Sequence, residues 1–405
     1  MAGISMTRRT SAVVAVGLLV VVAAALVLFV DFDNFIDLRV YRAGGRAWLD
    51  GYTLYSNEFV RRSGVGLPFT YPPVSAMLFT TVAVIPFGVA IALVTVASLA
   101  ALAGTAAIVV RRPRLAILAA VAGGLLLEPV RQTLSFGQIN LLLMVLVVAD
   151  CLLPRTWWPR GLLIGIAAAV KLTPAVFVLF FLARGQWRPV LAALAGFAAA
   201  TAVAWVASPG AISAYLSTVI EDPGRIGGLT YAGNQSLNGF WHRLDLGDTA
   251  TKVLWLGSAA VVVALGWRAV RASREAGDDL GALVAAAAVG LLVSPVSWSH
   301  HWVWVAVAAI WVVRRLREWR LPAQLAAVAG LLLFVTPPHW LLPRQHNRER
   351  HWALWQHVLG NDYVWCALAL LVVLAATGFR RGTPRPGPRG AAAGQQPGAE
   401  PPPET

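Results

Sequence analysis

The chain has 405 residues, of which 58% are hydrophobic and only 13% are charged. Soluble domains carry roughly 25% charged residues, so this composition excludes an ordinary soluble protein. The apolar residues form long blocks, such as 12–30 and 161–183, rather than recurring at helical or strand spacing. About 20 consecutive apolar residues let an α-helix cross a hydrocarbon core of about 30 Å. The sequence therefore predicts an all-α, polytopic membrane protein.

The net charge of +14 does not indicate a nucleic-acid partner. The arginines cluster at the ends of apolar blocks, where the positive-inside rule and anionic lipids account for them. Lysine is rare, with Lys171 and Lys252 as its two occurrences. Cys151 and Cys366 both lie in apolar segments, so the sequence shows neither a disulfide framework nor a metal motif.

The apolar blocks predict about twelve membrane spans. They lie near 11–30, 74–87, 88–110, 115–127, 138–153, 161–183, 190–207, 252–270, 281–297, 302–313, 321–336 and 363–379. The block 74–110 is too long for one upright helix, and Pro86-Phe87-Gly88 marks a turn that divides it. The first span is longer than the core of a signal peptide and lacks a small-residue cleavage site, which indicates an uncleaved helix.

The arginine clusters predict the sidedness of these spans. A cytoplasmic N-terminus places the clusters at 268–274 and 314–320 inside, and it places three loops outside, 31–73, 208–251 and 337–362. The same orientation places the arginines at 111–114 and 155–160 outside, which contradicts the positive-inside rule. Residues 1–380 then form one membrane domain, and 381–405, rich in Pro, Gly and Ala, are predicted to be a disordered cytoplasmic tail.

The loop 31–73 holds the first polar cluster. Asp37 lies between apolar neighbours close to the end of the first span, and a partly desolvated carboxylate has a raised pKa and is a stronger base when ionised. Most acids in such loops only solvate the loop or cap short helices. Arg39, Tyr41 and Tyr71 accompany Asp37 and are candidates for substrate binding.

The second cluster is a histidine pair, His300 and His301, in the segment 294–301 at a span junction. The pair suits neutralisation of a phosphate or proton transfer. The alternative is two interfacial residues beside tryptophans. Metal binding is a weaker interpretation, because no further ligand occurs nearby at suitable spacing.

The third cluster, 233–242, interleaves amides and hydroxyls with aromatic rings. Asn234 and Gln235 are candidate ligands of sugar hydroxyls, and a polar turn before an interfacial helix is the alternative.

The fourth cluster, 339–352, mixes basic and aromatic residues at the predicted outer surface. Arg344, His346 and Arg348 are candidate contacts for a lipid phosphate or anionic headgroups, and nonspecific interface anchoring is the alternative.

Two further polar features lie within apolar segments. Lys171 is an ionisable residue that must face a cavity or a partner, either as a phosphate contact or as a member of a structural ion pair. The stretch 135–140 is polar as well, but the predicted sidedness places it on the cytoplasmic side, away from Asp37.

Several of these segments together resemble glycosyltransferase family 87. The resemblance is carried by DLRVYRAG, FTYPP, FGQINLLL, GLLIGIAAAVKLTP, GNQSLNGFWHRL and SPVSWSHHWVW, which follow one another between about 31 and 365. It implies a GT-C fold in the plasma membrane with an active site on the periplasmic face. It also implies transfer of mannose from polyprenyl-phosphate-mannose to a phosphatidylinositol mannoside or lipomannan acceptor, in an α-1,2 linkage and with inversion.

The resemblance also implies roles for individual residues. Asp37 matches the family's essential acid and His301 its histidine, so one of them is the base while the other orients it or screens charge. Lys171, His300 or Arg348 would neutralise the leaving phosphate. No cofactor is implied, and the sequence does not identify a divalent metal requirement. The alternatives are a lipid-linked arabinose as donor, or a transporter or lipid flippase.

Overall fold

The computed structural model describes residues 8–31, 34–111, 113–220, 225 and 227–377. Within these residues the protein is helical and has no strand, apart from an isolated antiparallel bridge between Asn234 and Trp298. The predicted tail 381–405 lies outside the described residues.

The described residues of the first half of the chain form ten α-helices. They are α1 (Arg8–Phe29), α2 (Ile36–Asp50), α3 (Asn57–Ser63), α4 (Pro73–Ala83), α5 (Phe87–Val110), α6 (Arg114–Leu126), α7 (Glu128–Phe136), α8 (Asn140–Leu152), α9 (Leu162–Val170) and α10 (Val178–Leu182). The 3-10 turn Thr173–Phe177 leads into α10.

The second half, as far as the structure describes it, forms nine more α-helices. They are α11 (Trp187–Ala207), α12 (Pro209–Tyr215), α13 (Leu237–Arg243), α14 (Asp248–Glu275), α15 (Asp279–Val293), α16 (Val305–Arg315), α17 (Leu321–Leu333), α18 (Leu354–Leu359) and α19 (Asp362–Thr377). Shorter turns complete it: the π-helical turn Leu216–Ile220 and the 3-10 turns Ser299–Trp304, Leu316–Glu318, Pro338–Leu341 and Arg348–His351.

Three of these helices, α5, α11 and α14, are each long and apolar enough to cross a membrane. A fourth candidate is the pair α6 and α7, which is bent by 77° at Leu127. The break at Pro86 that the sequence predicts is present, because α4 ends at Ala83 and α5 begins at Phe87. The chain is therefore a membrane protein, as its composition predicts.

The predicted span 74–87 corresponds to α4, whose 11 residues pack on the amphipathic helix α2. A side chain at Gly45 would meet the backbone of Phe79, so only glycine permits this approach. At one end of α4, Ser75 bonds the carbonyl of Val170, and at the other Arg42 bonds the carbonyls of Val82 and Ile85. One end of α4 is therefore bonded to the last residue of α9, and the other end is bonded to α2.

The predicted single span 161–183 is a hairpin that turns at Lys171. Its first half, α9, runs parallel to α11, with Gly161 against Pro189 and Gly165 against Ala193. After Lys171 the chain returns, so that Phe180 lies beneath Arg274. Neither half exceeds about ten residues, which is too short to cross alone. The prediction of a single span was wrong because the block 161–183 is apolar on both sides of Lys171, and hydropathy does not distinguish a hairpin from one continuous helix.

The bundle has two chemically distinct ends. We call one the polar end, defined by Asp37, Gln138, Asn140, Lys171 and His301. We call the other the arginine end, defined by Arg111, Arg274, Arg314 and Arg315.

Contacts at the arginine end correct the predicted sidedness. Arg111 bonds the carbonyl of Leu152, and Arg314 bonds that of Val109, so arginines predicted on opposite sides share one end. Conversely, the stretch 135–140 lies at the polar end, because Gln138 bonds Tyr41. The prediction that placed this stretch on the opposite side from Asp37 was wrong. It counted α4 as a crossing and the hairpin at Lys171 as a single span, and this reversed the assigned direction of every helix between them.

Candidate active site

Asp37 lies in the first turn of α2, which begins directly after Phe35, a residue in the left-handed region with φ of 35°. Tyr41 follows four residues later on the same helical face. The half-buried Asp37 carboxyl is hydrogen-bonded by Gln138 and faces the charge of Lys171. Burial raises its pKa to about 6, although the hydrogen bond and the lysine both act to lower the pKa. Asp37 is therefore ionised at neutral pH and more basic than an ordinary aspartate.

Two tyrosines and one glutamine form the wall beside Asp37. The hydroxyl of Tyr41 donates to Oε1 of Gln138 at 2.6 Å and lies 2.9 Å from the hydroxyl of Tyr71. Nε2 of Gln138 donates to the Tyr71 hydroxyl at 3.1 Å. The ring of Tyr41 stacks on Phe79 with centroids 4.1 Å apart. Because all three polar groups are satisfied within the network, their orientation toward Asp37 is fixed.

Lys171 connects this wall to the histidines. Its Nζ donates to Oδ1 of Asn140 at 2.9 Å and lies 3.2 Å from Nε2 of His301. It also lies 5.6 Å from the centre of the Tyr71 ring. Within the described residues, no carboxylate lies within 4 Å of Nζ to form an ion pair. The lysine is thus a buried cation held by neutral acceptors, with its charge available to an anion.

The hydrogen bond from Lys171 sets the tautomer of His301. An ammonium group can only donate, so Nε2 of His301 accepts and the proton resides on Nδ1. Nδ1 is buried and has no partner among the described residues. A small cavity of about 40 Å³, enough for one water molecule, borders both Lys171 and His301.

The backbone of His300 is anchored by the turn between α7 and α8. Its carbonyl accepts hydrogen bonds from Thr133 at 2.9 Å and from Asn140 at 2.8 Å. Its ring packs edge-on against Phe136, and its Nε2 lies 3.4 Å from Nε2 of Gln138. The stretch 135–140 therefore positions both the carboxylate and the histidines.

The predicted third cluster supports the site from behind. Asn234 and Gln235 are fully buried, and their side chains bond the chain itself. Oδ1 of Asn234 accepts from the backbone of Ser297 and from Ser236, while Nε2 of Gln235 donates to the carbonyls of Ala232 and Gly360. The structure therefore does not bring these amides to the site as sugar ligands. They hold the segment that leads to His300 in place.

Arg39, the remaining candidate on α2, turns away from Asp37. Its guanidinium lies 4.5 Å from the ring centre of Phe87, at the start of α5. Residues 37 and 39 are separated by about 200° around a helix, which explains the opposite directions.

The predicted fourth cluster forms a loop at the polar end. Arg344 is half-buried over the ring of Trp340 at 5.3 Å, while His346 and Arg348 are exposed. The loop carries consecutive left-handed residues, with φ of 71° at Gln345 and 52° at His346. Among the three basic candidates, only Arg344 packs against the protein's aromatic surface.

A second buried polar group, which the sequence did not predict, lies beside the site. Glu128 accepts hydrogen bonds from Trp340 and Tyr363, both at 2.8 Å, and from Ser299, which precedes the histidine pair. His339 bonds Asp362 at 2.7 Å. The signal available in the sequence was a glutamate directly after an apolar block. Its partners lie more than 170 residues away in the sequence, so its role was not apparent.

The site brings together Asp37, Tyr41, Tyr71, Lys171, His300 and His301 from the candidates named in the sequence. It combines a basic carboxylate, a cation bound to neutral acceptors and a set of fixed hydrogen-bond donors. Such a set can remove a proton from a hydroxyl and stabilise a departing phosphate. Among the described residues, no three His, Cys, Asp or Glu side chains are grouped so as to hold a metal ion.

Comparison with known proteins gives consistent relatives. The sequence model of glycosyltransferase family 87 matches residues 69–295. A polyprenol-phosphate-mannose-dependent alpha-(1-2)-phosphatidylinositol mannoside mannosyltransferase of Mycobacterium tuberculosis is 38% identical over 373 residues, covering 86% of each chain. A protein of the same description from Mycolicibacterium smegmatis is 40% identical, covering 85% of this chain and 84% of the relative.

A third relative, the alpha-(1-2)-phosphatidylinositol pentamannoside mannosyltransferase of Mycolicibacterium smegmatis, is 34% identical over 85% of this chain and 84% of its own. No solved structure matches the chain. The matched range 69–295 contains Tyr71, Gln138 and Lys171, whereas Asp37 and the histidine pair lie outside it.

Proposed function

The chain belongs to glycosyltransferase family 87, and we propose that it transfers mannose from polyprenyl-phosphate-mannose to a phosphatidylinositol mannoside. The product linkage is α-1,2. Donor, acceptor and linkage are those in the descriptions of the two relatives that are 38% and 40% identical. The observation that carries the proposal is the Asp37 carboxyl, held by Gln138 and facing Lys171. The transporter or flippase alternative is not favoured, because the family and both relatives are glycosyltransferases.

In the proposed reaction, Asp37 is the general base. An acceptor hydroxyl attacks the anomeric carbon of the mannosyl phosphate, and its proton passes to the Asp37 carboxylate. The bond between the anomeric carbon and the phosphate oxygen breaks as the new glycosidic bond forms. A β-linked donor then gives an α-linked product in one displacement. His301 is less suited as the base, because Lys171 already occupies its accepting nitrogen.

Lys171 stabilises the leaving phosphate in this proposal. The electron pair of the broken bond remains on the polyprenyl phosphate, whose negative charge increases in the transition state. A fixed cation in a site with little water is worth more than the same cation in bulk solvent. Asn140 and His301 hold the ammonium in place, and Arg344 is a second cation for the lipid-linked groups.

We further propose a GT-C-type topology of twelve membrane-embedded segments with the polar end on the periplasmic face. Ten of them cross the membrane, namely α1, α5, α6, α8, α11, α14, α15, α16, α17 and α19. The other two are the halves of the hairpin at Lys171, which enters the membrane from the arginine end and returns to it. In this topology the segment 74–87 does not cross. This arrangement gathers Arg111, Arg274, Arg314 and Arg315 on the cytoplasmic side, in accord with the positive-inside rule.

The experiment is a transfer assay with detergent-purified protein, labelled polyprenyl-phosphate-mannose and a phosphatidylinositol mannoside acceptor. Asp37→Asn should lower the rate roughly 10²–10⁴-fold. Asp50→Asn is the matched control, because Asp50 is an exposed carboxylate at the other end of the same helix. Lipomannan and polyprenyl-phosphate-arabinose serve as the alternative acceptor and donor. Failure of the wild type to transfer mannose to either acceptor would refute the proposed function.

A further inference from the structure

A large cavity lies away from the site, between α6, α16 and α17. Its volume is about 1120 Å³, above the roughly 300–1,000 Å³ that is usual for small-ligand pockets. It extends from Leu127 and Val335 down to Arg111, Asp278 and Glu318 at the arginine end. The cavity therefore runs along the helices through much of the depth of the bundle.

The cavity exists because two of its walls lack side-chain bulk or close packing. The α6 wall consists of Ala116, Ala119, Ala120, Gly123 and Gly124. No residue of α17 is fully buried, so this helix does not close the space from the other side. A side chain at Gly123 would meet no atom within 4 Å, which confirms that the adjoining space is empty of protein.

Three carboxylates line the arginine end of the cavity, and each of them is paired with an arginine. Asp278 bonds Arg315 at 2.9 Å, and Glu318 bonds the same arginine at 3.1 Å. The third carboxylate, Asp279, is paired with Arg274.

Two arginines that line the cavity differ from these pairs. Arg111 and Arg314 both bond carbonyl oxygens in the last turn of α5, and neither has a carboxylate within 4 Å among the described residues. Each retains several N–H donors for an anion. The cavity thus combines apolar walls of membrane depth with two available cations at one end.

We propose that this cavity binds one anionic glycerophospholipid, with its phosphate at Arg111 and Arg314 and its acyl chains between α6, α16 and α17. The chemistry matches at both ends, because a phosphodiester accepts from guanidinium groups and acyl chains fill an apolar groove. The site is separate from Asp37 and Lys171, so it does not depend on the proposed function. The terminal segment 378–405 is a poor occupant, since it carries four arginines against two glutamates and a single aromatic residue.

Two independent changes test the two halves of the site. Arg111→Ala with Arg314→Ala removes the phosphate contacts, and Arg188→Ala is the control for loss of an exposed arginine outside the cavity. Gly123→Leu adds an apolar side chain to the cavity wall, at a position where a Cβ would meet no atom within 4 Å. Gly330→Leu on α17 is its matched control, because Gly330 also has open space around it but does not line the cavity.

The measurement is native mass spectrometry of the full chain in detergent, titrated with phosphatidylglycerol or phosphatidylcholine of identical acyl chains. The wild type should retain one phosphatidylglycerol in preference to phosphatidylcholine. The double arginine variant should bind phosphatidylglycerol roughly 30-fold more weakly, at about 1 kcal/mol for each basic residue. Gly123→Leu should lose the bound lipid, and both controls should match the wild type.

Four outcomes would overturn the proposal. The first three are equal retention of the two lipids by the wild type, unchanged binding in Gly123→Leu, and equal losses in Gly123→Leu and Gly330→Leu. The fourth is recovery of a polyprenyl phosphate in place of the phospholipid. Thermal unfolding of every variant in the same detergent shows whether a loss of lipid reflects a loss of fold.

Discussion

The pH dependence of transfer reports on the environment of Asp37. With a pKa of about 6, the Asp37 carboxyl is mostly ionised at neutral pH, whereas only about a tenth is ionised at about pH 5. The kcat/KM for mannose transfer should therefore fall roughly tenfold over this range. An aspartate with an ordinary pKa of about 3.9 would remain about nine-tenths ionised at about pH 5 and would show almost no decline.

Gln138→Leu changes this profile in a defined direction. The hydrogen bond from Gln138 stabilises the ionised carboxylate and lowers its pKa, so its removal raises the pKa. The acid limb of the profile should move to higher pH. Gln132→Leu is the control, because Gln132 lies six residues earlier, on α7, and bonds Ser299.

The assay measures kcat/KM for the labelled donor between about pH 4.5 and pH 8, at fixed ionic strength and saturating acceptor. A wild-type acid limb near pH 4 would refute the proposed environment of Asp37. A limb that moves to lower pH in Gln138→Leu would refute the role of the hydrogen bond. A limb that persists unchanged in the residual activity of Asp37→Asn would show that another group is the base.

Three further predictions concern the site and the packing that supports it. Lys171→Met should lower kcat about 10²-fold and also shift the acid limb upward, since the lysine charge lowers the pKa of Asp37; an unchanged kcat would remove Lys171 from the proposal. Arg243→Met should destabilise the fold by about 3–5 kcal/mol in thermal unfolding, because the buried guanidinium bonds three backbone carbonyls and Asn361; an unchanged midpoint would contradict this. Gly165→Ala should cost about 1–3 kcal/mol, as its side chain would overlap the carbonyl of Ala193, whereas Gly257→Ala meets no neighbour and should be neutral or slightly stabilising in the same scan.

The long spans were predictable because hydropathy accumulates over about 20 residues. The blocks that became α5, α11 and α14 contain few breaks, and Pro86 marked the start of α5 correctly. Hydropathy failed at α4 and at the hairpin. A helix that packs on an amphipathic neighbour is as apolar as one that crosses, and the turn at Lys171 contains no glycine.

The predicted sidedness decided which polar residues became site candidates. Asp37 and the histidine pair were predicted as site residues because polar groups in apolar surroundings are costly and therefore informative. Gln138 and Asn140 carry the same signal, but they were excluded because the predicted sidedness placed them on the opposite face. Asn234 shows the reverse error. An amide beside aromatic residues resembles a sugar ligand in sequence, whereas here it satisfies the backbone of Ser297.

The short helix α8 has a consequence for the lipid carrier. Its last residue meets Arg111 at the end of α5, and its first residue, Asn140, holds Lys171. Measured from the level at which both helices end, the 13 residues of α8 extend about 20 Å to Asn140. The 24 residues of α5 extend about 36 Å to Phe87, on which Arg39 is stacked. Before helix tilt is considered, Lys171 thus lies roughly 15 Å below the level of Arg39. In the proposed topology, a phosphate bound at Lys171 lies below the level of Arg39, and a single flexible isoprenoid chain can fold aside to reach this depth more easily than two acyl chains on a glycerol.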